Sequence, residues 1–209
     1  MIPLDIISDP ICPWCYIGKA RFEAALQGRA GPFDLRWRTF QLNPDMPAAG
    51  MDRTAYLDAK FGAENAKRFY ARIADEAEAA GLDVRFDKIA RTPNTLDAHR
   101  LIRWARSEGA QDAVVNALFR RYFREGEDIS DPEVLLQTSA EAGMDPTLVK
   151  RLLEGEADRA DVREEDRLAR EMGVTGVPTF IIDGRYVLHG AQDTGTWHRV
   201  IEELSTLTT

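Results

Sequence analysis

The feature that most constrains this chain is a pair of cysteines three residues apart, between a predicted strand and a predicted helix. The run from Leu4 to Ile7 is short and rich in branched apolar residues, which is typical of a buried strand. After the cysteines, apolar residues recur at helical spacing, and Pro13 falls at the first helical position, where its missing N–H costs nothing. The segment Cys12-Pro13-Trp14-Cys15 is therefore predicted to open a helix.

This placement has a chemical consequence for the two thiols. The thiolate is the nucleophilic form of cysteine, and the unpaired N–H groups and dipole at a helix N-terminus stabilise an anion. We therefore expect Cys12 to be the exposed, attacking nucleophile. Cys15 projects from the same helix face one turn later, so the two sulfurs can form a disulfide, with Cys15 as the buried resolving thiol. The pattern indicates a redox active site.

Other interpretations of the cysteine pair are weaker. A structural zinc site needs four ligands, and the only histidines, His99, His189 and His198, have no paired spacing, so no metal is predicted. A structural disulfide closing so short a loop would remove little entropy from the unfolded chain. Two inert core cysteines are the remaining alternative, and the strand-to-helix context disfavours it.

Composition limits the class of protein and its partners. The chain has 209 residues, 44% of them hydrophobic and 30% charged, as in an ordinary soluble globular protein. Its net charge of -8 gives no basic surface for nucleic acid, and no apolar run is long enough to span a membrane. Without a secretory signal pattern at the N-terminus, we expect a cytoplasmic protein, in which a lone CxxC is more often catalytic than structural.

The order of predicted elements indicates an α/β fold interrupted by helices. A turn from Gly28 to Pro32 leads to a second strand from Phe33 to Phe40, parallel to the first through a strand-helix-strand crossover. Residues 52–173 are mostly helical, and after Gly173 a hairpin over 179–189 precedes a last helix from Asp193 or Thr194. We expect one α/β domain, closed by both ends of the chain, with an all-helical insertion.

Local signals within the insertion give three further expectations. Asp131-Pro132 and Asp145-Pro146 each place a capping acid before a proline at the first helical position. Alternating apolar residues over 82–86 indicate an extended segment. The acidic run 164–166 is expected to be a solvated helix face.

Several motifs in order resemble the DsbA-type thioredoxin fold, and most closely its FrnE-like branch. The matching segments are Cys12-Pro13-Trp14-Cys15, residues 40–44, Asn94-Thr95 with residues 98–100, Gly173-Val174, residues 176–180 and residues 190–192. This resemblance implies a thioredoxin-like domain of residues 1–45 and 174–209 and a helical insertion domain of residues 46–173. It also implies a thiol-disulfide oxidoreductase that acts on protein or small-molecule thiols, has no bound cofactor and takes glutathione as a candidate redox partner.

The resemblance also assigns supporting residues around the cysteines. Pro13 and Trp14 would tune the redox potential, the bond before Pro178 would be cis, and Val177 would offer backbone groups to substrate. In related proteins an acid in the first strand assists the resolving thiol, and Asp5 matches it by position, with Asp9 as a competitor and a structural role as the alternative. The candidate substrate-binding residues are Phe40, Asn43, Asn94 and His99.

Two other functions are compatible with the sequence. The same fold hosts kappa-class glutathione transferases and 2-hydroxychromene-2-carboxylate isomerases, which use glutathione with a serine at the position of Cys12. This chain keeps both cysteines, which favours redox chemistry. Because the related transferases are dimers, a homodimer is an open alternative. The second rival function is a holdase or partner-binding protein whose thiols are incidental.

Overall fold

The protein is described here by a computed structural model over residues 1–27 and 31–207, so the first three residues of the predicted turn lie outside it. Helices and strands follow one another as β1 (Ile2–Ser8), α1 (Pro13–Leu26), β2 (Phe33–Thr39), β3 (Met51–Asp52), α2 (Arg53–Phe61), α3 (Ala63–Ala79), β4 (Arg91–Thr92), α4 (Leu96–Ala105), α5 (Gln111–Arg120), α6 (Pro132–Glu141), α7 (Pro146–Glu154), α8 (Arg159–Glu171), β5 (Thr179–Ile182), β6 (Tyr186–His189) and α9 (Thr194–Leu207).

Both ends of the chain build one four-stranded sheet of order β2-β1-β5-β6. β2 is parallel to β1, as the crossover through α1 predicts, and β5 and β6 form the predicted antiparallel hairpin. The seven helices from α2 to α8 fall between β2 and β5 in the chain. This arrangement confirms an α/β thioredoxin fold with a large helical insertion, which is not all-helical because it also contains the short β3–β4 pair. The division into two domains stays a prediction.

The two faces of β1 pack against different helices, because successive strand side chains point to opposite sides. Leu4 and Ile6 lie in the main core with Phe22 of α1, and Trp197 of α9 packs edge-on against that ring at 4.7 Å between centroids. Ile7 faces the other side, against Ala169 in α8. The cysteine helix and α8 therefore cover opposite faces of the sheet.

The helix-capping residues could be predicted from the local sequence, whereas the short strand pairing could not. The side chains of Asp131 and Asp145 accept hydrogen bonds from the first turns of α6 and α7, as predicted. Residues 82–86 alternate in burial without entering a strand. The two-residue pairing of β3 with β4, and the π-helical turn Arg121–Glu125 after α5, had no clear sequence signal.

The acidic run in α8 corrects one expectation, since only part of it faces solvent. Asp166 is 6% exposed, and its carboxylate accepts a hydrogen bond from the Gln41 N–H at 2.7 Å. Glu165 accepts one from the Thr39 hydroxyl at 2.8 Å. These acids face the end of β2, and they attach the helical insertion to the sheet. Glu164 alone keeps the predicted exposure.

Candidate active site

The two cysteines lie where β1 ends and α1 begins. Cys12 is the N-cap residue of α1 in an extended conformation, with Pro13 at the first helical position, as predicted. Its N–H donates to the Asp9 carbonyl at 2.9 Å, and its own carbonyl accepts from the Cys15 N–H at 3.1 Å. Both cysteines are free thiols, and their side chains lie close enough to interact. The structure therefore holds a dithiol at a helix N-terminus.

Burial makes the two thiols different from ordinary cysteines. Burial raises the pKa of Cys15 well above its usual range, and the adjacent Cys12 thiol raises this pKa further. Hydrogen bonds from the Ser8 hydroxyl and the Asp9 N–H act in the opposite direction. Cys15 is thus held as a protonated thiol. Cys12 is only 3% exposed, which corrects the expectation of an exposed nucleophile.

The loop before β5 closes over Cys12. The peptide bond between Val177 and Pro178 is cis, as the resemblance implies, and the Cys12 thiol donates to the Val177 carbonyl at 3.5 Å. Gly18 of α1 permits this approach, because a Cβ there would lie 3.0 Å from Pro178 Cγ and 3.3 Å from Ala191 Cα. Local sequence pattern does not single out Gly18, since this contact joins distant parts of the chain.

A cavity of about 220 Å³, here called the Cys12 groove, is lined by Cys12. Cys12, Pro13, Trp14 and Val177 line one side. The other side is lined mainly by α2 and α3, through Arg53, Tyr56, Lys60, Phe61, Phe69 and Tyr70. The groove is thus small and rich in aromatic side chains, and it contains two cations.

The four candidate substrate-binding residues are not brought together. Phe40 is 3% exposed and packs on the α8 side, where the Arg170 guanidinium lies 4.2 Å from its ring centroid. The Asn94 side chain is hydrogen-bonded to backbone groups: it donates to the Met46 carbonyl at 2.6 Å and accepts from the Leu96 N–H at 2.9 Å. Asn43 contacts groove residues, since its side-chain oxygen accepts hydrogen bonds from Tyr56 and Lys60.

Asp5 lies on the side of the sheet away from Cys15, which corrects its expected position, and Asp9 lies near Cys15 through its backbone N–H. Asp5 points to the α8 side of the sheet, and its carboxylate pairs with Arg38 at 2.6 Å. Cys15 packs with the core on the opposite side. Asp9 is fully buried at the end of β1, where its carboxylate accepts hydrogen bonds from the Ile11 N–H at 3.3 Å and the Leu42 N–H at 2.7 Å.

His99 completes a buried pair with Asp9. Its Nε2 atom lies 3.8 Å from the Asp9 carboxylate and has no hydrogen-bond partner among the described residues. Burial raises the pKa of Asp9 to about 7 and lowers the pKa of His99 to about 4. Between about pH 4 and pH 7 the pair therefore holds one proton, on the carboxyl group. His99 lies beneath the site rather than in the groove.

Two classes of site are not found within the part of the chain that the structure describes. No group of three or more His, Cys, Asp or Glu side chains there could hold a metal ion. Likewise, no helix over residues 1–27 and 31–207 has the length and apolar character needed to cross a membrane.

The sheet order, the helical insertion and the dithiol at the start of α1 define a thioredoxin-fold protein of the DsbA type. The family model for the DSBA-like thioredoxin domain matches residues 3–202, and the chain belongs to this family. The predicted resemblance is thereby confirmed, together with a general kinship to thiol oxidoreductases.

Three solved structures show how far this similarity extends. A probable DsbA oxidoreductase from Streptomyces coelicolor is 32% identical with a TM-score of 0.86, and the match covers 97% of this chain and 89% of that one. A 2-hydroxychromene-2-carboxylate isomerase is 17% identical with a TM-score of 0.72, covering 99% and 97%. The cytosolic disulfide reductase DsbM from Pseudomonas aeruginosa, solved with glutathione (GSH), is 23% identical with a TM-score of 0.66, covering 98% and 99%. The last two show similarity of fold.

Proposed function

We propose that this protein is a thiol-disulfide oxidoreductase in which Cys12 exchanges with the substrate and Cys15 is the resolving thiol. The observation that carries the proposal is the contact between the two thiols at the start of α1. Cys12 lines the groove and touches the Val177 carbonyl, whereas Cys15 is 1% exposed and kept protonated by burial. Substrate sulfur therefore meets Cys12 first.

The chemistry is a balanced exchange of disulfide bonds. In the reducing direction, the Cys12 thiolate attacks one sulfur of a substrate disulfide; a Cys12–substrate bond forms, the substrate S–S bond breaks, and the leaving thiolate takes up a proton. Cys15 then loses its proton and attacks the Cys12 sulfur, which releases the second substrate thiol. Two electrons have passed from the dithiol to the substrate. The oxidising direction runs through the same mixed disulfide in reverse.

Backbone groups beside Cys12 support binding of an extended substrate. The Val177 carbonyl lies next to the sulfur, and the Val177 N–H has no hydrogen-bond partner within the described residues. An extended peptide could pair with this residue by strand addition while its sulfur reaches Cys12. Protein thiols and small thiols, including glutathione, are both proposed substrates.

Equilibration in graded glutathione redox buffers tests the proposal. The readouts are Trp14 fluorescence and the mass gained on thiol alkylation, with Cys12→Ser as the control. We expect a reversible two-electron transition in the wild type and none in the variant. Its midpoint would show whether the protein mainly oxidises or reduces its partners. Absence of the transition in the wild type would refute the proposal.

The same experiment separates the rival functions. If glutathione binds without forming a disulfide, a glutathione-dependent isomerase or transferase is favoured, a class to which the aromatic lining of the groove and one fold neighbour also point. A holdase would keep its protective effect in Cys12→Ser. The cytoplasmic location, the homodimer and the absence of nucleic-acid and membrane partners stay predictions.

A further inference from the structure

The Cys12 groove contains a buried cationic side chain that, unlike the other buried cations of the described residues, forms no ion pair. The buried cationic side chains there are Lys19, Arg53, Arg100 and Arg121. Three of them form ion pairs, namely Lys19–Asp112 at 3.4 Å, Arg100–Asp97 at 2.9 Å and Arg121–Glu127 at 2.6 Å. Arg53 is 8% exposed, and no carboxylate of the described residues lies within ion-pair distance.

The contacts of Arg53 are all with neutral groups. Its Nη1 atom donates to the Thr92 hydroxyl at 3.4 Å and to the Tyr122 hydroxyl at 3.3 Å. Its guanidinium lies 4.8 Å from the centroid of the Tyr70 ring. A desolvated cation without an anion is costly to keep in a folded protein. Because Arg53 lines the groove, an anion from outside the chain can meet it there.

A second cation lies in the same groove. Lys60 is exposed, and its ammonium group donates to the Asn43 side-chain oxygen at 3.0 Å and to the Tyr56 hydroxyl at 2.7 Å. It has no ion pair within the described residues either. Two cations thus line a small groove beside the nucleophile in a chain whose net charge is -8. This local charge is opposite to that of the molecule as a whole.

We infer that the Cys12 groove selects thiols and disulfides that carry a carboxylate close to their sulfur, with Arg53 as the specificity-determining residue. The planar guanidinium can bind a carboxylate through paired hydrogen bonds, whereas Lys60 acts as a point charge at the exposed side. This inference rests on the proposed function and names the substrate class of the same site. The sulfur chemistry is the balanced exchange given above.

Three disulfides with identical two-carbon arms and different charge test the inference. They are 3,3′-dithiodipropionate, which is anionic, bis(2-hydroxyethyl) disulfide, which is neutral, and cystamine, which is cationic. The measurement is the rate at which each oxidises the reduced protein. In Arg53→Met, we expect the dithiodipropionate-to-cystamine rate ratio to fall about tenfold or more, as for loss of a hydrogen bond to a charged group. In Lys60→Met, we expect a fall of about threefold.

Control variants distinguish this effect from a general change in charge. Arg185→Met removes an exposed cation at the hairpin turn, at the far end of the sheet from Cys12, and should leave the ratio unchanged. Arg53→Lys should retain part of the preference, because it keeps the charge but loses the planar fork. If Arg53→Met does not fold, the comparison of Arg53→Lys and Lys60→Met with Arg185→Met decides the question.

The outcomes separate failure of the inference from failure of the proposed function. If the neutral disulfide oxidises the protein but the rate ratio stays within twofold of wild type in every folded groove variant, the inference is overturned and the oxidoreductase proposal stands. If none of the three disulfides oxidises wild-type protein, both are overturned. A lower ratio in the groove variants with an unchanged ratio in Arg185→Met supports the inference.

Discussion

The two walls of the Cys12 groove differ in what they contribute. The cysteine wall, residues 12–14 and Val177, comes from the two ends of the chain and presents sulfur and backbone groups. The helical wall, formed by groove residues of α2 and α3, presents aromatic rings and two cations. In the proposed function, exchange of disulfide bonds needs the first wall, and recognition of charge and shape can reside in the second. The two properties should therefore be separable by mutation.

Replacing each cysteine in turn is the most direct test of whether the two walls have separate roles. In Cys12→Ser, we expect complete loss of thiol exchange, since no other sulfur lines the groove. In Cys15→Ser, Cys12 can still attack but cannot be resolved, so mixed disulfides should accumulate. Mass spectrometry after mixing with a disulfide substrate measures both. Release of substrate by Cys15→Ser at the wild-type rate would contradict the assignment, and Arg185→Met serves as the unaffected control.

Asp9 and His99 form a buried pair between the end of β1 and α4 of the helical insertion. This pair should make the free energy of unfolding depend on pH. Burial raises the pKa of Asp9 from 3.8 to about 7, so its contribution to stability is lost as pH rises through that range. Burial lowers the pKa of His99 from 6.5 to about 4, so its contribution is lost as pH falls. Between pH 4 and 6.5 the two trends oppose each other in the wild type.

Replacing either residue of the pair should leave only the pH dependence of stability that the other residue causes. In Asp9→Asn, the free energy of unfolding relative to wild type should rise by about 3 kcal/mol between pH 4 and 6.5, because the His99 trend alone remains. His99→Gln should show the opposite slope. Urea unfolding at several pH values measures this difference. Parallel curves for Asp9→Asn and wild type would show that the carboxyl group is not held protonated.

The junction between the sheet and the helical insertion should matter for stability rather than for exchange. Asp166→Ala removes the acceptor of the buried Gln41 N–H and the partner of Arg170, which should cost about 2 kcal/mol. Glu164→Ala is the matched control from the same acidic run, and its exposed pair with Arg167 should contribute little. Denaturant unfolding compares the two variants. Equal effects would mean that Asp166 does not fasten α8 to the sheet.

The two walls were also unequally predictable from the sequence. Cys12 and Pro13 could be placed because the first turn of a helix is defined by adjacent residues, and the same holds for the caps Asp131 and Asp145. Local pattern could not place Arg53 in the groove, since its contact with Tyr122 spans 69 residues. The hydrogen bond from the Gln41 N–H to Asp166 spans 125 residues, so the local sequence could not show that this acid is buried.

The sequence predicted which residues form the sulfur site, but it did not predict what packs around them. The cysteine motif specifies the chemistry, and the resemblance supplied the loop at Val177 and Pro178. Burial of Cys12 follows from the packing of loop and helices around it, which has no local signature. The same holds for Asp9, which was only a competitor to Asp5. The pleat does not separate these two acids, because positions 5 and 9 have the same strand parity. Asp9 differs because it lies just past the end of β1, where the Ile11 and Leu42 N–H groups hold its carboxylate.

The smallest predicted effect tests whether the helical wall positions its own cation. The Arg53 guanidinium lies 4.8 Å from the centroid of the Tyr70 ring, and its charge acts on the Tyr70 hydroxyl. Tyr70→Phe keeps the ring and removes the polar hydroxyl near the guanidinium, so the preference for dithiodipropionate over cystamine should weaken by about threefold at most, the size of one weak polar interaction. The redox midpoint should not move, because Cys12 and Cys15 keep their neighbours on the cysteine wall. A shifted midpoint with unchanged preference would assign Tyr70 to the sulfur chemistry and make the two walls inseparable.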